Sequence, residues 1–181
     1  MKIVFLLEEP SMKEVLNILL PKILPDNVFF QLVSHQGKSD LRKSIPNKLK
    51  NWNEPDVKFV VLQDQDLNDC RALKQDLKNL CDENRAGVQV CIACKELEAW
   101  YLGDLSAVEM AYDINLNKAR KKFKIPDTVD SPKERLYELL RGKGHSQISG
   151  ARRIATYMNV SGNSSESFNF FVSKVQKMAA D

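Results

Sequence analysis

Four short apolar runs, each followed by a segment of helical spacing, constrain this chain more than any other feature. Residues 2–7, 28–35, 57–62 and 88–94 are strand-like. After the first run, Met12, Val15, Leu16, Leu19, Leu20 and Ile23 recur at helical intervals behind Ser11 as an N-cap. Pro21 predicts a kink or stop near Leu20. Residues 39–52 form a basic amphipathic helix interrupted by Pro46, and over 68–84 Leu73, Leu77, Leu80 and Cys81 share one helix face. The order β-α-β-α-β-α-β specifies an α/β protein with a mainly parallel four-stranded sheet flanked by helices and joined by right-handed crossovers.

The grammar changes after Lys95. Segments 96–102, 104–112, 116–123, 132–140, 146–158 and 164–178 read as helices, the last with Phe168, Phe171, Val172, Val175 and Met178 on one stripe. Residues 124–130 are the linker candidate. The expected organisation is an α/β domain over 1–105 and an α-helical C-terminal extension over 106–181 packed on it.

Charge excludes less than pattern does. Lys and Arg number 27 against 24 Asp and Glu, a net +3 that is too balanced to specify a polyanion-binding protein by itself. No run approaches the ~18 apolar residues of a membrane span. The first apolar run is cut by Glu8-Glu9 without a signal-peptide cleavage site. Four cysteines without an export signal imply reduced thiols and a cytoplasmic setting.

In open parallel sheets, functional side chains gather at the carboxyl ends of strands. The first run ends at Glu8 and Glu9, the third at Asp64 and Asp66. Residues two apart on an extended segment face the same way, so both aspartates can serve one site. If the first and third strands are neighbours, Glu8 joins them. Three converging carboxylates repel unless protons or a cation neutralise them, and an all-oxygen donor set suits Mg²⁺ or Mn²⁺.

Leu7-Glu8-Glu9-Pro10-Ser11 resembles the glutamate turn of the TOPRIM fold, and Asp64-Gln65-Asp66 resembles its Asp-x-Asp motif. Glu8-Glu9-Pro10-Ser11, His35-Gln36-Gly37-Lys38-Ser39-Asp40 and Glu96-Leu97-Glu98-Ala99-Trp100-Tyr101 together resemble a small bacterial TOPRIM-like family, related to the OLD-family nucleases and often encoded beside ABC-type ATPases in phage-defence operons. The resemblance covers residues 1 to about 105. It departs from the TOPRIM pattern at Glu9, where glycine is expected, and at Met12, where an acid is expected.

The resemblance implies metal-dependent cleavage of DNA or RNA phosphodiesters in phage defence, with an ABC-type ATPase as partner. Glu8 would be metal ligand or general acid-base. Asp64 and Asp66 would hold the principal ion, with Glu98 or Glu96 assisting. Lys38 or Lys95 would offset phosphate charge. The alternative is a non-catalytic subunit binding an ATPase or nucleic acid, which the departures at Glu9 and Met12 favour. A Rossmann-like nucleotide-binding protein is disfavoured because no Gly-x-Gly-x-x-Gly or Walker loop is present.

Each motif also has an ordinary structural explanation. Asp64-x-Asp66 could be a solvated turn, Glu8-Glu9 a helix cap, Glu96 and Glu98 helix-start acids. His35 could act as a general base or be structural. Gly37 to Ser39 and Arg141-Gly142-Lys143-Gly144-His145 lack Walker spacing and read as turns. Cys91 and Cys94 fall at an odd offset in a strand, which fits buried structural thiols and not a zinc site. Trp100-Tyr101 reads as core. Lys118, Arg120, Lys121 and Lys122, with Arg152 and Arg153, are the candidate nucleic-acid contacts, against the alternative of a solvated helix face.

Overall fold

The computed structural model describes residues 1–81 and 86–181. Strands β1 (Lys2–Leu7), β2 (Phe29–Ser34), β3 (Val57–Asp64) and β4 (Val88–Ala93) alternate with helices α1 (Pro10–Ile23), α2 (Lys38–Asn51) and α3 (Cys70–Asn79). The strands form one all-parallel sheet of order β2-β1-β3-β4. β1 and β3 are therefore neighbours, in the register Leu7 opposite Leu62. The last predicted residues of the third helix, 82–84, lie outside the described residues.

Two apolar clusters cover the two sheet faces, as the period-2 alternation of a doubly covered sheet demands. Val4, Leu6, Phe59, Val61, Val90 and Ile92 meet Leu41, Ile45 and Leu49 of α2 and Leu73 and Leu77 of α3. Ile3, Phe5, Leu7, Val60, Leu62 and Cys91 face α1 and the C-terminal helices. Those helices are α4 (Glu98–Leu102), α5 (Leu105–Tyr112), α6 (Pro132–Leu139), α7 (Gln147–Tyr157) and α8 (Glu166–Ala180). Trp100 is fully buried at their centre, its ring 5.3 Å from Phe168 and 5.2 Å from Phe171. Burying each such side chain contributes about 1.5–3 kcal/mol. The C-terminal helices thus complete the core on one face of the sheet. Among the described residues no helix is long and apolar enough to cross a membrane.

Local expectations were overridden in five places. α1 runs through Pro21 and α2 through Pro46. Both prolines sit on exposed helix faces, where a carbonyl that loses its N–H partner can turn to water; near Pro46, the Asn47 side chain donates to Lys43 O at 3.1 Å. The N-cap of α1 is Glu9 with Pro10 at the first helical position, and Ser11 instead donates to the Glu9 carboxylate. The predicted helix over 116–123 is reduced to a 3₁₀ turn at Arg120–Phe123. The linker candidate is pinned down: Pro126 is buried, and the Asp127 carboxylate accepts from Ser165 Oγ (2.6 Å) and Ser167 N (2.7 Å) at the start of α8.

Candidate functional site

The carboxyl ends of β1, β2 and β3 and the start of α4 meet at one edge of the sheet. Four buried side-chain atoms lack any hydrogen-bond partner among the described residues: His35 Nε2, Gln63 Oε1, Asp64 Oδ1 and Tyr101 Oη. All four belong to this edge. An unsatisfied buried polar group costs on the order of 1–3 kcal/mol, more if charged, so their concentration in one place marks it as built for something other than stability.

Glu8 begins the turn after β1. Its N–H donates to Leu62 O (3.2 Å) and its own carbonyl accepts from Gly37 N (2.9 Å). The next rung of the β1–β3 ladder is taken by its side chain, with Asp64 N donating to Glu8 Oε2 at 3.0 Å. Burial is the main cause that pushes the Glu8 carboxyl up to about 7, with Asp66 and Glu9 adding to it and Lys38 opposing.

Asp64 is 8 % exposed and lies on the face of the C-terminal helices. Desolvation first, then the negative charges of Glu98, Glu8, Glu9 and Asp66, raise its carboxyl well above the usual range. Glu98, at the first turn of α4, is 3 % exposed and is pushed to about 7 by burial, then by Glu9 and Glu96. Tyr101 follows Glu98 by three residues, hence shares its helix face. Its buried hydroxyl titrates well above the ordinary tyrosine range because of burial and the charges of Glu98, Glu9 and Asp64.

The two aspartates do not share a side through strand alternation. β3 ends at Asp64, and Asp66 adopts a left-handed backbone with φ 52°, which ends the extended geometry on which that expectation rested. Asp66 is instead ion-paired with Lys38 Nζ at 3.0 Å, a half-exposed pair that lifts the lysine above its ordinary value. Asp66 N donates to Lys95 O at 2.7 Å, and Lys95 is also left-handed, φ 61°. Lys95 Nζ pairs with Asp130 at 2.9 Å. Asp66, Leu67, Lys95, Glu96, Asp130, Ser131 and Pro132 line an open cleft of about 350 Å³ beside the acids.

Several sequence candidates have structural partners. Glu96 Oε2 accepts from Lys133 N at 2.8 Å and so caps α6. Glu9 accepts from Gln147 Nε2 at 3.0 Å, which ties the start of α7 to the acids. Arg120 pairs with Glu109, Arg152 with Glu14, and the Arg153 guanidinium lies 4.6 Å from the Tyr112 ring centroid. Lys118, Lys121 and Lys122 remain exposed, with no ion pair among the described residues. Arg141 to His145 is a turn between α6 and α7, with Gly142 and Gly144 at φ +80° and +65°, and His145 Nδ1 meets Tyr112 Oη at 2.5 Å. Cys91 is buried in the core and Cys94 lies beside Cys70; burial pushes both Cys91 and Cys94 to about 12.

Gln63 and Tyr101 were not found as site residues from sequence. Tyr101 had a usable signal in its spacing from Glu98. Gln63 had a weaker one, as a polar residue closing an apolar run.

Among the described residues no three His, Cys, Asp or Glu side chains gather closely enough to form a finished metal shell. The acids are instead divided by the sheet edge, with Asp64, Glu98 and Glu9 towards the C-terminal helices and Glu8 and Asp66 towards α2, where Lys38 pairs with Asp66. The donor chemistry still fits a hard cation, because Asp64 Oδ1 is a buried carboxylate oxygen without a partner.

Fold and edge together define a parallel α/β protein with a partly buried acidic site at the strand carboxyl ends. The chain belongs to the family described as Domain of unknown function (DUF4276), whose model matches residues 7–176 and so spans every residue of this site. No curated protein and no solved structure matches it.

Proposed function

We propose that this chain cleaves phosphodiester bonds in DNA or RNA with the help of Mg²⁺ or Mn²⁺ held at the carboxyl edge of its sheet. The observation that carries the reading is Asp64: a buried carboxyl with an unpartnered oxygen, within the electrostatic reach of Glu98 and Glu8 and without an ion pair among the described residues. Isolated buried carboxylates are destabilising unless protonated or paired. A divalent cation would neutralise them and polarise a bound phosphate.

Asp64 and Glu98 would hold the ion from the side of the C-terminal helices, and Glu8 from the strand end. Burial raises the Glu8 carboxyl to about 7 in the metal-free chain, and a bound cation would hold it in the carboxylate form. Lys38 is close enough to release Asp66 and offset phosphate charge. The exposed Lys118, Lys121 and Lys122, which carry no ion pair among the described residues, and the Arg141–Lys143 turn would contact a nucleic-acid backbone. A TOPRIM relationship, an ATPase partner and a defence setting rest on the sequence resemblance; the adjacency of β1 and β3 and the acids at their ends support the first of these.

A second reading is favoured by the open spacing of the acids and by the Lys38–Asp66 pair: a non-catalytic subunit in which the edge is a scaffold. Incubation of a mixed DNA and RNA panel with Mg²⁺ or Mn²⁺ separates the two. Metal-dependent cutting that is lost in the Asp64→Ala plus Asp66→Ala protein supports the nuclease. Absence of cutting together with absence of Mn²⁺ binding by calorimetry supports the scaffold.

A further inference from the structure

Two of the four unpartnered atoms at the edge, His35 Nε2 and Gln63 Oε1, lie on the opposite side of the sheet from Asp64. The ladders continue past the strand ends, with His35 N donating to Leu7 O (3.0 Å) and Glu8 N to Leu62 O (3.2 Å). His35, Glu8 and Gln63 therefore stand abreast on β2, β1 and β3, one strand spacing of about 4.8 Å apart. Each follows by two residues a member of the α2–α3 cluster or a residue packed on it: Val33, Leu6 and Val61. Alternation puts all three side chains on that same side.

The chemistry of the row is one-sided. His35 Nδ1 lies 2.8 Å from Leu7 O, and a carbonyl can only accept, so Nδ1 carries the proton. Nε2 is the ring nitrogen left for a ligand, 95 % buried with the rest of the ring and without a partner among the described residues. An imidazole whose far nitrogen is fixed by a carbonyl is the arrangement that orients metal-binding histidines. Gln63 is 1 % exposed and offers an unpaired Oε1. Glu8 lies between them. Two unsatisfied acceptors flanking a carboxyl group call for a shared electropositive ligand.

We propose that His35 Nε2, Glu8 and Gln63 Oε1 form a second cation subsite, on the α2 side of the edge, which takes a first-row transition ion in preference to Mg²⁺. The preference follows from the nitrogen donor, because imidazole suits transition ions whereas Mg²⁺ favours oxygen. The subsite rests on the cation reading above only through Glu8, which serves both sides; neither His35 nor Gln63 is needed by the Asp64–Glu98 side.

Mn²⁺ is the probe, read by pulsed electron paramagnetic resonance for ¹⁴N coupling. The chain has two histidines, so a directly bound imidazole nitrogen must come from His35 or His145. The expected result is ¹⁴N modulation in the wild-type protein that survives in Asp64→Asn and in His145→Asn. It disappears in His35→Asn, whose amide can keep the Leu7 hydrogen bond. Gln63→Leu should weaken Mn²⁺ binding at least about tenfold. Mn²⁺ bound without ¹⁴N coupling, coupling lost in His145→Asn, or no Mn²⁺ binding to the folded wild-type chain would each overturn the subsite. The wild-type spectrum decides even if His35→Asn fails to fold. Coupling present without any nucleic-acid cleavage would sink the nuclease reading and leave the subsite standing.

Discussion

At the amino end of the sheet, Lys2 pairs with Glu54 at 2.9 Å, Trp52 Nε1 donates to the same carboxylate at 3.2 Å, and the Lys2 ammonium lies 5.6 Å from the Trp52 ring centroid. At the carboxyl end, His35, Gln63, Asp64 and Tyr101 each bury a polar atom that nothing in the described chain satisfies. The amino end has the larger cleft, about 540 Å³ lined by residues that include Lys2, Phe29 and Glu54, yet its polar groups are ordinary surface pairs. The same sheet thus ends once in a solvated, self-satisfied surface and once in an incomplete one. Volume is a poor guide to chemistry here; unmet hydrogen-bonding capacity is the better one.

Four measurements can break or sharpen that contrast. The largest effect is expected from Asp64→Asn, which should lower metal-dependent cleavage at least about 100-fold while raising the melting temperature of the metal-free protein. Loss of stability instead would mean that Asp64 is satisfied in solution and that the ends of the sheet do not differ. Next, Glu98→Gln removes a buried carboxyl that titrates near 7 in place of its ordinary 4.5. At 1.36 kcal/mol per unit, the metal-free variant should gain up to about 3 kcal/mol at pH 8, measured by urea unfolding, and little at pH 4.

The pH profile of the wild-type chain is the third. The folded forms of Glu8 and Glu98 hold their protons up to about 7, whereas unfolded carboxyls lose theirs near 4.5. The folded state then binds more protons between those values, so metal-free stability falls as pH rises through that window. Saturating Mn²⁺ should flatten the fall. A metal-free stability that rises from pH 5 to pH 7 would refute the assignment of strained acids to this edge. The smallest effect is expected at the other end, where Glu54→Gln should leave the melting temperature unchanged within error, because exposed ion pairs contribute little.

The sheet was legible because each strand is a separate apolar run with turn residues between. The adjacency of β1 and β3, which brings Glu8 to Asp64, was a reasonable condition to set and is met. The site was legible only in its charged half. Glu8, Asp64 and Glu98 are conspicuous as acids at element ends. Gln63 and Tyr101 look like core, since their difference from core lies in what fails to bond to them in three dimensions. The expectation that Asp66 shares a side with Asp64 by strand alternation failed for a local reason, its left-handed backbone, which an Asp can adopt at modest cost and which no side-chain pattern announces. The linker over 124–130 was misjudged for a distant one, because Asp127 finds its partners about forty residues later, at Ser165 and Ser167.

The pairing of α1 with α7 bears on how the molecule is made. Lys22 Nζ donates to Ala155 O, Thr156 O and Met158 O at 3.0–3.3 Å, and Glu14 pairs with Arg152; these partners are 133 to 138 residues apart in the chain. At a synthesis rate on the order of 5–20 residues per second, α1 waits roughly 7 to 27 seconds before its partner is synthesised. During that interval the apolar face formed by Val15, Leu16 and Leu19 can be shielded only by β-strands that are themselves still being assembled. Late closure by α7 leaves α1 without its final cover for most of the time that the chain takes to be made.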